Sequence, residues 1–175
     1  YQSKPSIIIS AWAVGVWITG TKFCDIASHS AMLKNTGGDM QSVLETLQEF
    51  GTKEHYVIVG YPPFIRKTIH FLREKLDLSK YRIDIGWGGD AVSYEHHQYL
   101  QQLLPKDSLV VSFYGASDLD IGVGFEPPFC QYIRKLAANN KQFRQEAFAT
   151  DDIPMIFQYN PLLCYIENIE TKGKG

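Results

Sequence analysis

Short apolar runs alternate with helix-like segments through the middle of this chain. Three of the runs are rich in β-branched and aromatic residues and end at glycine, which predicts strands at residues 55–60 (HYVIVG), 81–89 (YRIDIGWGG) and 108–115 (SLVVSFYG). Each run is followed by a segment with helical periodicity. This order of strand and helix predicts an α/β fold, in which a mostly parallel sheet is flanked by helices in a Rossmann-like core.

The predicted helices begin at recognisable signals. Pro62 and Pro63 suit a first helical turn, where a missing N–H has little cost. The helix predicted to follow has an apolar stripe at i, i+4, i+7 and i+11, formed by Ile65, Ile69, Leu72 and Leu76. Ser93 is the predicted N-cap of the next helix, whose apolar stripe is His96, Leu100 and Leu103. Residues 127–140 open with prolines and predict a third helix.

The two ends of the chain are patterned differently. Residues 39–50 predict another amphipathic helix, with an apolar face made of Met40, Val43, Leu44 and Leu47. Residues 11–27 predict a helix that leads into a short strand at 23–27. After residue 150, two strand-like runs at 155–160 and 162–167 are separated by Asn160-Pro161. We therefore expect an α/β subdomain over residues 1–150 and the start of a β-rich subdomain over residues 151–175.

Composition excludes several kinds of partner. The formal net charge is −2 and no basic block occurs, so we expect neither a nucleic acid nor an anionic membrane as partner. No apolar run approaches the roughly 20 residues that a membrane span needs. Residues 7–20 are apolar, but Trp12 and Trp17 within them and the lack of a small-residue cleavage pattern argue against a signal peptide.

The three cysteines are dispersed and odd in number, which argues against a disulfide framework and against a zinc site. We expect Cys24, Cys130 and Cys164 to be free thiols in a reducing cytoplasm. Cys130 lies in an apolar helix face, which favours a core position over a nucleophile. Three of the histidines are isolated, and the adjacent pair at 96–97 cannot face the same way on a helix. Neither a serine-hydrolase elbow nor a phosphate-binding P-loop is present.

The strand ends are the candidate sites, because ligands of open α/β sheets gather at the carboxyl ends of the strands. If the sheet is parallel, residues 60–63, 86–90 and 114–118 lie on one rim. Adjacent glycines allow the backbone to approach a flat or phosphorylated ligand, but they also serve in ordinary strand-to-helix turns. A tyrosine, a hydroxyl and a carboxylate at 114–118 suit a nucleotide with Mg²⁺, and they equally suit a buried ring with a capped turn.

Taken in order, these segments resemble the adenylate-forming (AMP-binding) superfamily, and particularly its branch of phenylacetate–coenzyme A ligases and coenzyme F390 synthetases. The resemblance extends over nearly the whole chain. It is carried by AVGVWITGTKF, VIVGYPPFIRK, IGWGGDAVS, VSFYGASDLD and IPMIFQYNP. It implies part of the large N-terminal subdomain of an enzyme that uses ATP, Mg²⁺ and coenzyme A to activate a carboxylic acid as its acyl-adenylate.

The resemblance also implies roles for individual residues. Gly88, Gly89 and Asp90 match the segment that lines the adenine and acyl pockets. The family's Tyr-Gly-x-Thr-Glu motif matches residues 114–118, so that Tyr114, followed by Gly115, would stack on adenine. Ser117 would bond the α-phosphate, and Asp118 would help to hold Mg²⁺. The residues that would lie near the acyl or aryl pocket are Tyr61, Pro62 and Trp87.

The chain departs from the family pattern in ways that bear on catalysis. Ser117 and Asp118 replace Thr and Glu, and the Ser/Thr/Gly-rich phosphate loop, the ribose-binding Asp, the hinge and the catalytic lysine are absent. Since adenylation needs several preorganised donors around the phosphoryl group, we expect a ligase fragment that is inactive alone. Its expected partners are an aryl or acyl carboxylic acid and the missing flanking subdomains.

Other interpretations remain. A pseudoenzyme could keep the fold and bind a nucleotide or a protein without chemistry, and an unrelated Rossmann-like domain could bind a dinucleotide at its glycine turn. The oligomeric state is open, and a homodimer is one of the states considered, because a subdomain without its neighbours exposes apolar surface.

Overall fold

The computed structural model describes residues 6–15, 18–116 and 121–167. Within these residues a seven-stranded sheet is combined with six α-helices and one short 3₁₀ turn at Leu78–Lys80. In chain order the elements are β1 (Ser6–Ser10), α1 (Ile18–Ser28), β2 (Met32–Asn35), α2 (Met40–Phe50), β3 (His55–Gly60), α3 (Pro62–Lys75), β4 (Arg82–Gly88), α4 (Tyr94–Leu103), β5 (Val110–Ala116), β6 (Ile121–Phe125), α5 (Pro128–Asn139), α6 (Lys141–Phe148) and β7 (Gln158–Tyr159).

The strands are ordered β2-β1-β3-β4-β5-β6-β7 across the sheet. The first five are parallel, whereas β6 and β7 are antiparallel to their neighbours. Helices connect the parallel strands and pack against the sheet, as parallel pairing requires. The predicted α/β class with a mostly parallel sheet is confirmed.

The main core lies on one face of the sheet, beneath α2, α3 and α4. Alternate residues of the central strands point into it, and they are all buried: Ile7, Ile9, Tyr56, Ile58, Ile83 and Ile85. The helices contribute the buried side chains Val43, Leu44, Leu47, Ile65, Ile69, Leu72 and Leu100. Because each fully buried aliphatic side chain contributes about 1.5–3 kcal/mol, this face supplies most of the stability.

The central helix predictions are confirmed. Val43, Leu44 and Leu47 of α2 are buried and Met40 is half-buried, while the predicted stripe of α3 is buried through Leu72. Pro62 occupies the first turn of α3. The hydroxyl of Ser93 accepts a hydrogen bond from the amide of His96 at 3.2 Å, and so caps α4 as expected.

The buried stripe of α4 begins one residue later than predicted. His97 is buried, whereas His96 is exposed and its ring accepts a hydrogen bond from Arg66. Positions 97, 100 and 104 lie at i, i+3 and i+7, and all three are buried. Leu103 is only half-buried, so the predicted stripe through His96 and Leu103 was wrong by one position.

The prediction of a strand at residues 23–27 was wrong, because α1 runs through these residues. Its buried residues Gly20 and Ala27 lie seven positions apart, which is two helical turns. A Cβ at Gly20 would lie 2.7 Å from the carbonyl oxygen of Ala13, so only glycine allows the helix to pack so closely there. The sequence analysis also missed β2 and β1, and the latter is a β-branched run that overlaps the start of the apolar stretch at 7–20.

The C-terminal part differs from the prediction as well. Only Gln158 and Tyr159 of the run at 155–160 form a strand, and they pair with β6, which the sequence analysis did not identify. Residues 161–163 form a turn and residues 164–167 form no strand, so the predicted strand at 162–167 was wrong. Leu162 and Tyr165 are 91% and 89% exposed and have no sheet neighbour to pack against. The division near residue 150 stays a prediction.

The cysteines and the absence of a membrane span were also predicted from the sequence. Cys24, Cys130 and Cys164 are free, and burial raises the pKa of the Cys130 thiol, in keeping with a core position. In the part of the chain that the structure describes, none of the helices has the length and apolar character needed to cross a membrane.

Candidate functional site

The three predicted strand ends lie side by side. Gly60, the last residue of β3, is paired with Trp87 of β4, and Gly88 is paired with Phe113 of β5. The carboxyl ends of β3, β4 and β5 therefore form one continuous rim, as the parallel arrangement predicts. Ser117 and Asp118, which follow β5, lie outside the described residues.

A cavity of about 340 Å³ opens beside this rim, on the face of the sheet opposite the main core. Four of the predicted site residues line it: Gly88, Gly89, Tyr114 and Gly115. The other lining residues are Trp12, Ile18, Thr19, Lys22, Phe23, Ile26, Val59, Phe113, Ala116 and Gly122. The lining is mainly apolar and aromatic with few polar groups, and the volume is within the range of about 300–1,000 Å³ that is usual for ligand pockets.

Two glycines of β4 make room for Phe113 in the wall of the cavity. A Cβ at Gly88 would lie 2.8 Å from the carbonyl oxygen of Phe113, and a Cβ at Gly86 would lie 2.5 Å from its ring. These distances are too short for any other residue without a shift of β5 or of the ring. The glycines that suggested close approach of a ligand therefore also allow close approach of the neighbouring strand.

Gly89 lies close to two aromatic rings in the turn after β4. Its φ of +86° is in the left-handed region that favours glycine. The position that a Cβ would take is 3.6 Å from the ring of Trp12 and 3.7 Å from the ring of Tyr61. The ring of Tyr61 therefore lies next to the cavity wall at Gly89, although neither Tyr61 nor Asp90 lines the cavity itself.

Asp90 holds a fixed carboxylate next to this aromatic pair. Its Oδ2 accepts a hydrogen bond from the hydroxyl of Tyr61 at 3.0 Å, and its Oδ1 accepts one from the amide of Ala91 at 2.8 Å. The hydrogen bond to Asp90, followed by the negative charge of that group, raises the pKa of Tyr61. The structure thus brings together Tyr61 and Asp90, which come from two separate strand ends of the predicted rim.

Tyr114 stands at an irregular point of β5, where the pairing with β6 shifts between Tyr114 and Gly115. The residue lines the cavity and is 52% exposed, and its ring centroid lies 5.6 Å from that of Phe157. The phenol is therefore supported by another aromatic ring and still accessible.

Trp87 and Pro62 are not brought to this cavity. Trp87 is 2% exposed and points to the opposite face of the sheet, where its indole N–H donates to the Ser112 hydroxyl at 3.0 Å and its ring meets His97 edge-on. Pro62 is buried in the first turn of α3. Because side chains alternate along a strand, Gly88 faces the cavity while its neighbour Trp87 faces the core.

The wall formed by α1 and the loop after β1 was missed by the sequence analysis. The helix contributes Ile18, Lys22 and Ile26, which are spaced at i, i+4 and i+8 on one stripe. Ile18 and Ile26 remain about half exposed because they face the cavity and not the core. An apolar stripe interrupted by one cation was the available signal, and it was obscured by the assignment of residues 23–27 to a strand.

A metal site is not found in the described part of the chain, where no group of three His, Cys, Asp or Glu side chains is arranged to hold an ion. Asp90, the carboxylate at the rim, already accepts two hydrogen bonds within the protein. The described residues thus do not fit Mg²⁺, and the predicted ligand Asp118 lies outside them.

Comparisons with known proteins identify a related fold and no family. No protein-family model and no curated protein matches the chain. Among solved structures, the chain is similar to an open conformation of 2-hydroxyisobutyryl-CoA ligase in complex with 2-HIB-AMP and CoA, with a TM-score of 0.51 and 12% sequence identity. The match covers 66% of this chain and 26% of the ligase chain. The α/β fold of this chain is thus one that also occurs as part of an acyl-CoA ligase.

Proposed function

We propose that this chain provides the nucleotide- and acyl-binding rim of an ATP-dependent carboxylic acid–CoA ligase of the phenylacetate–coenzyme A ligase and coenzyme F390 synthetase type. The observation that carries the proposal is the cavity at the carboxyl ends of β3, β4 and β5, with Gly88, Gly89, Tyr114 and Gly115 in its wall. The similarity in fold to a CoA ligase that holds 2-HIB-AMP and CoA supports it.

The reaction of such a ligase has two steps. A carboxylate oxygen attacks the α-phosphorus of ATP, which forms the acyl-adenylate and releases pyrophosphate. The thiol sulfur of CoA then attacks the acyl carbon, which forms the thioester and releases AMP. Both steps need the acyl group and the adenylate to be held next to each other, and the described rim offers an apolar cavity beside an aromatic and glycine-rich turn.

We assign the residues of the chain as follows. The apolar cavity takes the acyl or aryl group, between Phe113 and the stripe of Ile18 and Ile26 on α1. The accessible ring of Tyr114 stacks on adenine, a contact that is worth about 1–3 kcal/mol. Ser117 donates a hydrogen bond to the α-phosphate. Asp118 is the proposed Mg²⁺ ligand.

Binding without turnover is the expected property of this chain by itself. Stabilising the charge of the transferring phosphoryl group needs several donors at once, and the described rim supplies mainly apolar and aromatic surface. We therefore propose that flanking subdomains supply the remaining catalytic groups. The three free thiols are in keeping with a cytoplasmic location, which forms part of the proposal.

A binding experiment with two matched tyrosine variants tests this function. Isothermal titration calorimetry with AMP should give a saturable affinity, which Tyr114→Ala weakens about tenfold through the loss of stacking. Tyr132→Ala is the control, because Tyr132 is similarly exposed (58%) but lies on α5 and not on the cavity wall. Failure of AMP to bind, or equal weakening by both variants, would contradict the proposal.

A second measurement on this chain distinguishes the ligase from the non-catalytic alternative. ATP–pyrophosphate exchange with a panel of aryl and fatty acids should be absent for this chain and should appear when the flanking subdomains are joined to it. AMP binding with no exchange in the joined protein would favour a pseudoenzyme.

A further inference from the structure

A buried ion pair lies behind the rim, on the face of the sheet opposite the cavity. Glu126, just after β6, is 0% exposed, and Arg134 on α5 is 2% exposed. The Nη1 of Arg134 donates to Oε1 and Oε2 of Glu126 at 3.2 and 3.3 Å. Fully buried charges are uncommon in proteins, and the contacts of this pair extend beyond the pair itself.

One end of the pair reaches the turn that follows β4. The Nη2 of Arg134 donates to the carbonyl oxygen of Val92, a buried residue. The amide of Val92 donates to the sulfur of Met155 at 3.3 Å. Both polar groups of Val92 are therefore held by residues distant in sequence, which fixes the C-terminal end of the turn that carries Gly89 and Asp90.

The other end of the pair reaches β5. The Ser112 hydroxyl donates to Oε2 of Glu126 at 2.9 Å, and the Glu126 amide donates to the Ser112 carbonyl at 2.8 Å. Ser112 also accepts the indole N–H of Trp87. The pair thus connects β4, the turn after β4, β5 and α5 immediately behind the cavity wall.

Stability alone does not explain this arrangement. Buried ion pairs lose much of their attraction to desolvation, and apolar residues of similar volume often replace them without loss of stability. An apolar pair, however, could not bond the Val92 carbonyl. Lysine in place of Arg134 would keep the charge, but its single nitrogen cannot occupy the positions of both Nη1 and Nη2, which bond Glu126 and Val92 separately.

We propose that Arg134 is a positioning residue, which holds the turn at residues 89–93 so that Asp90 meets Tyr61 next to Gly89 of the cavity wall. The effect on ligand binding rests on the proposed function, whereas the effect on the turn does not. Arg134 acts through Val92 and does not touch the ligand.

Arg134→Lys tests the proposal, with Arg144→Lys as the matched control. Arg144 also donates to a backbone carbonyl, that of Ala137, but this contact lies between α5 and α6 and away from the turn. Three measurements are made on both variants: amide hydrogen exchange at Val92 and at the core strand residue Ile85, the titration of the Tyr61 ring by NMR, and the affinity for AMP.

In Arg134→Lys, exchange at Val92 should accelerate at least about tenfold more than exchange at Ile85. The pKa of Tyr61 should fall toward its ordinary value as Asp90 moves away, and AMP should bind several-fold more weakly. Arg144→Lys should leave all three unchanged. Equal acceleration at Val92 and Ile85 with an unchanged Tyr61 titration would overturn the proposal, because it would indicate a purely structural pair.

The two proposals fail in different ways. If the unmodified chain does not bind AMP, the proposed function is contradicted, while the exchange rates and the Tyr61 titration still decide the role of Arg134 without any ligand. If AMP binds and Arg134→Lys changes neither the turn nor the affinity, the positioning role is refuted and the function stands.

Discussion

The two faces of β4 and β5 are built from neighbouring residues but have opposite properties. On one face, Trp87 and Ser112 join a closed network with Glu126 and Arg134 in which each of these four side chains is bonded and buried. On the other face, Gly88 and Phe113 border an open cavity. Trp87 and Gly88 are adjacent in the sequence, and successive side chains of a strand point to opposite faces of the sheet. Neighbouring residues of β4 therefore face the packed core and the open cavity.

The comparison indicates how one pair of strands can provide both rigidity and space. The packed face holds the strands and the turn in position, and the glycine face leaves room beside them. Substitutions on the two faces should therefore have different effects.

The largest effect is expected from Arg134→Met. It leaves the Glu126 carboxylate buried without its cation, which should lower the free energy of unfolding by about 3–5 kcal/mol. The double variant Glu126→Leu with Arg134→Met should recover more than half of this loss, because no charge then stays buried. Urea unfolding followed by circular dichroism measures both variants, and a double variant as unstable as the single one would show that the pair itself supplies the stability.

Gly88→Ala should disrupt the close packing of β4 against β5 on the face of the sheet that borders the cavity. The new Cβ would lie 2.8 Å from the carbonyl oxygen of Phe113, and the resulting shift of β5 should lower the free energy of unfolding by about 1–3 kcal/mol. Gly122→Ala is the control in the same cavity wall, since a Cβ there meets nothing closer than the Tyr114 carbonyl oxygen at 3.8 Å. Similar urea midpoints for the two variants would contradict the packing argument.

His97 should make the packed face sensitive to acid. Burial, with a smaller contribution from the charge of Arg134, lowers the pKa of His97 to about 4, whereas the unfolded chain has the ordinary value of 6.5. Between pH 6.5 and about 4, the unfolded state therefore binds a proton that the folded state does not. As the pH is lowered through this window, the free energy of unfolding should decrease by up to about 1.4 kcal/mol per pH unit.

Urea unfolding at pH 7 and pH 5 measures this loss. His97→Gln should reduce the difference between the two pH values, and His96→Gln, which alters the exposed neighbour, should leave it unchanged. An equal pH dependence in His97→Gln and the unmodified chain would rule out the buried ring as its source.

The smallest effect is expected at the hydrogen bond between Tyr61 and Asp90, next to Gly89. Asp90→Asn removes the negative charge of the carboxylate that accepts this bond from the Tyr61 hydroxyl. The pKa of Tyr61 should therefore fall toward its ordinary value, with little change in stability. NMR titration of the tyrosine rings measures the shift, and Asp107→Asn serves as a control. A Tyr61 titration that is the same in Asp90→Asn and in the unmodified chain would show that the hydrogen bond does not form in solution.

The central fold was predictable because its signals are local. Strands β3 and β4 are mostly buried and end at glycine, β5 begins with two β-branched valines, and α3 has a regular apolar stripe after two prolines. The first strand was hidden because β1 belongs to a longer apolar stretch. The glycine-rich strand β6 was missed because its pattern is weak without knowledge of its partner β5.

The site was predictable to a lesser degree. Gly88 and Gly89 could be identified because adjacent glycines at a strand end are a local signal. The opposite orientation of Trp87 depends on which face of the sheet the helices cover, and this is a property of the whole fold. The α1 wall could not be found from core patterns, because Ile18 and Ile26 are apolar residues that face an opening and not the core.

The most direct test of the proposed binding site is a titration of the ¹⁵N-labelled chain with AMP, followed by NMR. We predict saturable shifts of the Gly88, Gly89, Gly115 and Gly122 amides and of the Trp12 indole, with little change at Leu100 on the packed face. Shifts confined to the packed face, or no saturable shift at all, would contradict the proposed binding of AMP at this rim.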